Sequence, residues 1–495
     1  MRILIPFTRT GLSLAVSLLA GCTLLTPPAP EELRKDALPN ATIPQQWKQP
    51  AEPGAVMDNF GNLGDPALVA LVREALTYNA DLRAGAARVE QARGYVTVAG
   101  ADLLPSVAAL AKGGGKWSGD YSGMQSALIG ATWEIDVWGR QRYGARAAAD
   151  QYASAQLDYE YARQSLVAMV VRSWLLAVQA TQQEDLLQEM VQSASKLVDM
   201  TQHRLKAGIG NEQEVAQAQA SLGEYRDRLR QMQLARTQAL RALEILLGRY
   251  PGAEVQTAAR LPDMPAPVPA GLPSELLERR PDVVAAERRV AAAFNLTEEA
   301  RAARLPKISL TATLGAVSSE LIVLQNHDNP TMGVGGSLLW PIFTGGALKA
   351  QVDIRTAEQQ EAVATYGAVG LRAFDEVEGA LASETALRER QAILEQVAGD
   401  SRRSMELATV QYKIGSIDLR SVLQEELRLY NTLLTLVQIH RERLVQRVNL
   451  HLALGGGFGL PAASAAAEQP ASPPPQNPPA DARASVQNIS STQSN

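Results

Sequence analysis

The sequence has 495 residues, a formal net charge of −5 and a single cysteine, Cys22. Aromatic residues are scarce, and charges of both signs are interspersed among alanine, leucine and glutamine, a balance that is typical of long packed helices. The acidic balance argues against a nucleic-acid-binding surface, and the lone cysteine excludes a disulfide bond within the chain.

The first residues predict a lipoprotein signal peptide over 1–21. A basic start is followed by a short apolar run over 12–19 and by the sequence Leu-Ala-Gly-Cys ending at Cys22. This order resembles a bacterial lipobox, in which cleavage before Cys22 leaves that residue to be acylated. Thr23 follows instead of aspartate, which by the same resemblance favours the outer membrane. An ordinary signal peptide with an incidental cysteine is the alternative.

The rest of the chain contains one unit twice. Asp81 stands 24 positions before Pro105, as Asp282 does before Pro306, and this spacing indicates an internal duplication. A tail rich in proline, alanine, serine and glutamine follows, and its composition predicts disorder. The predicted segments are an acylated linker at 22–60, repeat 1 at 61–260, repeat 2 at 261–460 and the disordered tail at 461–495.

Each repeat contains a pair of segments in which apolar and polar residues alternate, the pattern of β-strands. In the clearest case Ile308, Leu310, Ala312 and Leu314 fall on one face of the segment. No later segment offers the roughly 18 continuous apolar residues of a spanning helix, so a chain that crosses the bilayer must do so as strands. The predicted strands are about 105–117 and 125–138 in repeat 1, and about 306–318 and 331–343 in repeat 2.

Four strands cannot close a membrane barrel, because open sheet edges are not tolerated in lipid. Two chains would form eight strands around a filled lumen, whereas three chains would form twelve and begin to leave room for a channel. The pattern therefore predicts a trimer with a twelve-stranded transmembrane β-barrel. The alternative is an amphipathic hairpin packed on a soluble core. Trp133, Trp138, Trp340 and Phe343 near the strand ends favour an aromatic girdle at the membrane interface instead.

The helical segments are too long for a compact domain. Residues 346–413 contain no proline, and a helix of this length would reach roughly 100 Å. Leucine, valine and alanine recur at spacings of three and four, which predicts that these helices pair as coiled coils. Such a length matches the periplasmic gap below an outer membrane.

The sequence offers little for catalysis or for binding a cofactor. The four histidines lack metal-ligand spacing, and no Walker, Rossmann or serine-elbow pattern occurs. We therefore predict that the protein is not an enzyme and binds no cofactor apart from the covalent lipid on Cys22.

Four motifs resemble those of the outer-membrane factors of the TolC type, in the NodT or OprM-like branch of efflux lipoproteins. The resemblance covers nearly all of the chain from residue 22 to residue 460. It implies a homotrimer in the outer membrane, with a barrel continued by a periplasmic tunnel of twelve helices. It also implies a periplasmic adaptor and an inner-membrane transporter as partners. The motifs occupy 133–140, 271–282, 340–346 and 454–457.

The same resemblance assigns function to two helix–turn–helix tips, at 204–208 and 411–415. A glycine in each tip lets the chain reverse between paired helices. In relatives these tips narrow the tunnel to a gated aperture and receive the adaptor. The implied adaptor contacts are Leu205, Gly208 and Gly415, and the implied gate residues are Tyr412, Asp418, Arg420 and Glu214.

This chain departs from the family pattern at the second tip. Glu214 keeps the carboxylate that is common six residues past the glycine, but Ser421 replaces it in repeat 2, and Gln424 stands where an aspartate is common. For the charged gate candidates the alternative is the solvated face of a coiled coil, and for Tyr412 it is ordinary helix packing.

The predicted function is a passive exit duct of a tripartite efflux system, of the kind that serves multidrug export. A duct for type I protein secretion is the nearest alternative. A lipid-anchored periplasmic coiled-coil scaffold is an alternative of a different class.

Overall fold

A computed structural model describes residues 24–49, 65–112, 124–266, 268–319 and 330–456. The predicted signal peptide, Cys22 and the tail at 461–495 lie outside these residues. The described helices are α1 (Pro30–Ala37), α2 (Pro66–Tyr78), α3 (Ala80–Ala101), α4 (Arg140–Lys206), α5 (Glu212–Leu247), α6 (Pro273–Arg279), α7 (Pro281–Ala302), α8 (Ala347–Lys413) and α9 (Leu419–Ala453). The described strands are β1 (Ser106–Lys112), β2 (Met124–Ile135), β3 (Lys307–Ser319) and β4 (Pro330–Leu339).

The four strands form one antiparallel sheet in the order β1-β2-β3-β4. Each repeat contributes one pair of strands, and the pairing of β2 with β3 joins the two repeats. Leu314 lies opposite Ile129 on one side and Met332 on the other, so these apolar side chains share a face, and all three are exposed. The outer edges of β1 and β4 pair with no strand among the described residues.

Two strands end earlier than the alternation predicts. The second strand was expected to reach about 138, but β2 ends at Ile135 because Asp136 accepts the backbone N–H groups of Gln141 and Arg142 at 3.2 and 3.0 Å, at the start of α4. The fourth was expected to reach about 343, but β4 ends at Leu339, and Pro341 just beyond it cannot donate to a ladder. The first strand is described only to Lys112.

The two longest helices, α4 and α8, each contain 67 residues, which corresponds to about 100 Å. The shorter helices α5 and α9 run back along them, and α9 also packs against α4. Within the described ranges, no helix has both the length and the apolar content needed to cross a bilayer. Towards the turns at 207–211 and 414–418 the helices share a core cluster that includes Met190, Leu222, Tyr225, Tyr412 and Leu419.

The predicted linker at 22–60 contains ordered structure packed on the repeats. The Leu25 backbone N–H donates to the Tyr143 hydroxyl at 2.8 Å, at the start of α4. Further on, α1 buries Leu33, and Arg34 in the same helix pairs with Glu278 at 2.8 Å. Trp47 donates its indole N–H to the Ala270 carbonyl at 3.2 Å. The segment therefore runs along the outside of the helices and is fixed at several points.

Candidate functional site at the helix–turn–helix tips

The first tip ends α4 with a glycine in the left-handed conformation. Gly208 has φ +72° and donates its N–H to the Leu205 carbonyl at 3.0 Å, while Ile209 donates to the Arg204 carbonyl at 3.0 Å. These two bonds form a Schellman motif, which satisfies carbonyls that the end of a helix leaves without partners. The chain then reverses direction over the five residues 207–211.

The second tip repeats this geometry at the end of α8. Gly415 has φ +78° and donates to the Tyr412 carbonyl at 3.0 Å, while Ser416 donates to the Gln411 carbonyl at 2.8 Å. The two repeats therefore turn by the same backbone mechanism.

Each returning helix begins with a side-chain cap. Asn211 accepts the N–H of Glu214 at 2.9 Å in the first tip. In the second tip Asp418 accepts both the N–H of Ser421 at 2.9 Å and its hydroxyl at 2.7 Å. These bonds, together with the charge of Arg420, lower the pKa of Asp418. Asp418 thus caps α9 as an ionised carboxylate.

The tips of the two repeats meet at Tyr412, which is 1% exposed. Its hydroxyl donates to a carboxylate oxygen of Glu214 at 3.1 Å. The guanidinium of Arg204 lies over the tyrosine ring, 4.8 Å from its centroid, within the range of a cation–π interaction. Three side chains from α4, α5 and α8 therefore form one contact between the repeats.

The Tyr412 hydroxyl is a donor at physiological pH. Burial, followed by the negative charge of Glu214, raises the pKa of Tyr412 to about 12. The proton that forms the bond to Glu214 is therefore retained throughout the neutral range.

The structure brings together two of the four predicted gate residues. Tyr412 and Glu214 are in direct contact, whereas Arg420 is exposed and forms no hydrogen bond or ion pair with any described residue. Arg204 is a site residue that the sequence-based assignment missed, because nothing in its local sequence indicates a tyrosine from the other repeat.

The predicted adaptor contacts Leu205, Gly208 and Gly415 all lie on exposed surface. Ile209 and Ile414 beside them are 65% and 75% exposed, and they were not singled out from the sequence. The sequence could have indicated both residues, since each is a large aliphatic residue next to a turn glycine. The tips therefore present apolar side chains to the surroundings.

Comparison with known proteins shows which proteins this chain is similar to. The sequence profile of the family described as outer membrane efflux protein matches residues 71–249 and 272–456. OpmQ, the pyoverdine export outer membrane protein of Pseudomonas aeruginosa, is 31% identical over 90% of this chain and 97% of its own length. The cation efflux system protein CusC of Escherichia coli is 30% identical over 89% of this chain and 96% of its own length.

The structure is similar to solved outer-membrane channels. The CmeC channel of Campylobacter jejuni superimposes with a TM-score of 0.79 at 25% identity, covering 88% of this chain and 94% of CmeC. This likeness confirms the predicted fold class, in which a transmembrane β-barrel with four strands per chain continues as a long periplasmic α-helical barrel. The predicted location in the outer membrane and the predicted role as the outer-membrane channel of an efflux system are confirmed as well. Because the profile covers both repeats, this chain belongs to the outer membrane efflux protein family.

Proposed function

We propose that three copies of this chain form a passive exit duct, which receives solutes from an inner-membrane transporter through a periplasmic adaptor. The observation that carries the proposal is the four-stranded sheet with two unpaired edges among the described residues. A sheet that lies in lipid must satisfy these edges, and identical neighbours offer the matching strands.

The number of subunits follows from the size of the barrel. Three chains bring β1 of one copy against β4 of the next and close twelve strands, while their long helices α4, α5, α8 and α9 supply twelve helices below. The apolar side chains of Ile129, Leu314 and Met332 would then face lipid on one surface of the sheet.

Gel electrophoresis and conductance test this assembly. The detergent-extracted protein should migrate as a trimer that heating converts to a monomer, and it should conduct ions in planar bilayers. A purified protein that is a water-soluble monomer without conductance would overturn the proposal and favour a periplasmic scaffold.

We propose that the tips close the periplasmic end of the tunnel. The contact of Tyr412 with Glu214 and Arg204 holds the two repeats together, so separating them widens the passage. Asp418 and Arg420 would contribute charge at the rim, Asp418 while capping its helix. Leu205, Gly208 and Gly415, with the exposed Ile209 and Ile414, would form the surface that the adaptor contacts.

We propose multidrug efflux as the function that the duct serves, with the cargo selected by the transporter. OpmQ is named for pyoverdine export and CusC for cation efflux, although each is about equally similar to this chain. Deletion of the gene followed by growth on a panel of drugs and metal ions tests this assignment. Increased sensitivity to several drugs is expected, whereas loss of a secreted polypeptide alone would identify a type I secretion duct.

We propose that Cys22 carries the lipid that anchors the chain, and that the protein is neither an enzyme nor dependent on another cofactor. In support, Leu25 is fixed to Tyr143 at the membrane-proximal end of α4, only three residues beyond the cysteine. Several acyl groups together with a barrel would make attachment to the membrane effectively permanent.

A further inference from the structure

A cavity of about 590 Å³ lies between the N-terminal segment and two helices, α4 and α7. Its volume is within the range of pockets that hold small molecules, roughly 300 to 1,000 Å³. The segment covers it with a proline-rich stretch, and α4 and α7 form its walls. The side chains that matter for its chemistry are Arg146, Asp150, Glu287, Arg288 and Asn295.

One wall of the cavity contains a buried amide with a free acceptor. Asn295 is 1% exposed and donates its side-chain N–H to Asp150 at 2.9 Å. The amide oxygen of Asn295 is buried and has no hydrogen-bond partner among the described residues. Burial raises the pKa of Asp150, and the bond from Asn295 and the charges of Arg288 and Arg146 act in the opposite direction. A buried acceptor without a donor is costly, so a ligand that donates hydrogen bonds is favoured here.

Two guanidinium groups at the same cavity have N–H donors that are not used in hydrogen bonds to described residues. Arg146 and Arg288 are both exposed, and neither forms a hydrogen bond or ion pair with any described residue. The adjacent Arg289, by contrast, pairs with Asp158 across the two helices. A pair of free guanidiniums can bind phosphate oxygens with bidentate geometry.

The end of the cavity at Arg146 lies close to the membrane surface. Trp138, beyond the end of β2, donates its indole N–H to the Pro306 carbonyl at 2.8 Å, and aromatic residues of this kind mark the interface of a barrel. Along α4, Arg146 is only about 9 Å from the first helical residue, Arg140. The Arg146 side chain can therefore extend towards the phosphates of the periplasmic leaflet.

We propose that this cavity binds the phosphoethanolamine headgroup of a membrane phospholipid. Arg146 and Arg288 hold the phosphate, while the ammonium group donates to Asp150 and to the free amide oxygen of Asn295. The two arginines and the two acids Asp150 and Glu287 make the lining neutral overall, which matches a zwitterion better than an anionic lipid. The bound lipid would fix the N-terminal segment beside its own acyl anchor.

Native mass spectrometry of the delipidated, detergent-solubilised protein tests the proposal. Phosphatidylethanolamine should bind to the wild type, and the double variant R146Q/R288Q should bind it at least about tenfold more weakly because the phosphate contacts are lost. Arg289→Gln is the matched control, since Arg289 is adjacent but already paired, and it should bind lipid like the wild type. Unchanged binding in the double variant would overturn the proposal.

Other lipids, a variant of Asp150 and soluble competitors test the contributions of the ammonium and phosphate groups separately. Phosphatidylglycerol should bind more weakly than phosphatidylethanolamine, and Asp150→Asn should reduce this preference. Equal binding of both lipids by the wild type would overturn the ammonium assignment. Competition by soluble phosphoethanolamine supports headgroup recognition, whereas equally strong competition by inorganic phosphate would show a general phosphate site. All variants should conduct like the wild type in planar bilayers, so this test is independent of the proposed duct.

Discussion

The Tyr412 hydroxyl joins the two repeats through a single bond to Glu214. The substitution Tyr412→Phe removes this bond but keeps the ring under Arg204 and the packing around it. We expect the variant to show a larger single-channel conductance in planar bilayers, because the tips separate more easily. A loss of about 1 kcal/mol in the free energy of unfolding should accompany the change.

Tyr430→Phe is the matched control for this prediction. Tyr430 belongs to the same core cluster, but its hydroxyl forms no hydrogen bond with any described residue. The control should conduct like the wild type. A Tyr412→Phe channel that also conducts like the wild type would show that the bond to Glu214 does not hold the aperture closed.

Glu426 is a buried acid in the same helical region. It is 1% exposed, and one of its carboxyl oxygens has no partner among the described residues. Burial raises the pKa of Glu426 above its ordinary value of 4.5, and a hydrogen bond with Ser193 only partly opposes this. Burial, followed by the negative charge of Glu426, raises the pKa of the neighbouring Tyr225 and Tyr430 to about 12.

The pKa of Glu426 predicts how stability changes with pH. Because the folded-state pKa is raised, the protonated carboxyl contributes to the free energy of unfolding. This contribution is fully present below about pH 4.5 and is lost as the pH rises through the folded-state pKa. Glu426→Gln removes this loss, so the variant should be more stable than the wild type by about 1 kcal/mol at neutral pH. Thermal unfolding followed by circular dichroism between about pH 4 and pH 8 measures the difference. Glu224→Gln, an exposed control, should leave the pH profile unchanged, and an unchanged profile in Glu426→Gln would contradict the prediction.

At the scale of elements, the two turns depend on their glycines for backbone conformation alone. A Cβ added at Gly415 would meet no atom within 4 Å, yet the φ of +78° is unfavourable for other residues. Gly415→Ala should therefore lower the free energy of unfolding by about 1 to 2 kcal/mol, and Gly415→Asn by less, since asparagine tolerates this conformation. Thermal unfolding of the trimer measures both.

A glycine in the interior of a helix provides a control, because the opposite change in the free energy of unfolding is expected there. Gly223 lies within α5 with open space around its Cβ position, so Gly223→Ala should raise the free energy of unfolding by up to about 1 kcal/mol. If Gly415→Ala were also stabilising, the left-handed turn would not be required in the folded protein.

Arg280 explains part of the motif at 271–282. Arg280, at the start of α7, is almost fully buried and binds Asp282, and it also reaches Glu376 of α8 at 2.6 Å. The same guanidinium donates to the Ala453 carbonyl at 3.1 Å, at the end of α9. One side chain thus connects α7, α8 and α9 through several of the five N–H donors of an arginine.

At the scale of the whole molecule, the proposed lipid on Cys22 and the barrel would be separate means of attachment to the membrane. Cys22→Ala removes the proposed site of acylation but none of the strands that would pair between chains. We expect weaker retention in the outer-membrane fraction, with trimers still present on unheated gels. Complete loss of trimers would mean that the barrel does not assemble independently of the anchor.

Local sequence patterns were sufficient to predict the strands and the long helices. Alternation at Ile308, Leu310, Ala312 and Leu314 predicted a strand, and the proline-free stretch 346–413 predicted the helix that the structure contains. The spacing of apolar residues and the absence of proline are properties of the local sequence, so they predict strands and helices without knowledge of the fold. The turn glycines Gly208 and Gly415 were predictable for the same reason.

Which side chains from distant parts of the chain meet could be learned only from the folded structure. Tyr412 lies about 200 residues from Glu214 and Arg204 in sequence, and their contact depends on how the two repeats pack. Asp418 was predicted as a gate residue, but its cap on α9 emerged only from the local geometry of the turn. The cavity beside Asn295 likewise needs the N-terminal segment to lie across two helices. Contacts between distant segments are set by packing, which no local pattern in a single sequence specifies.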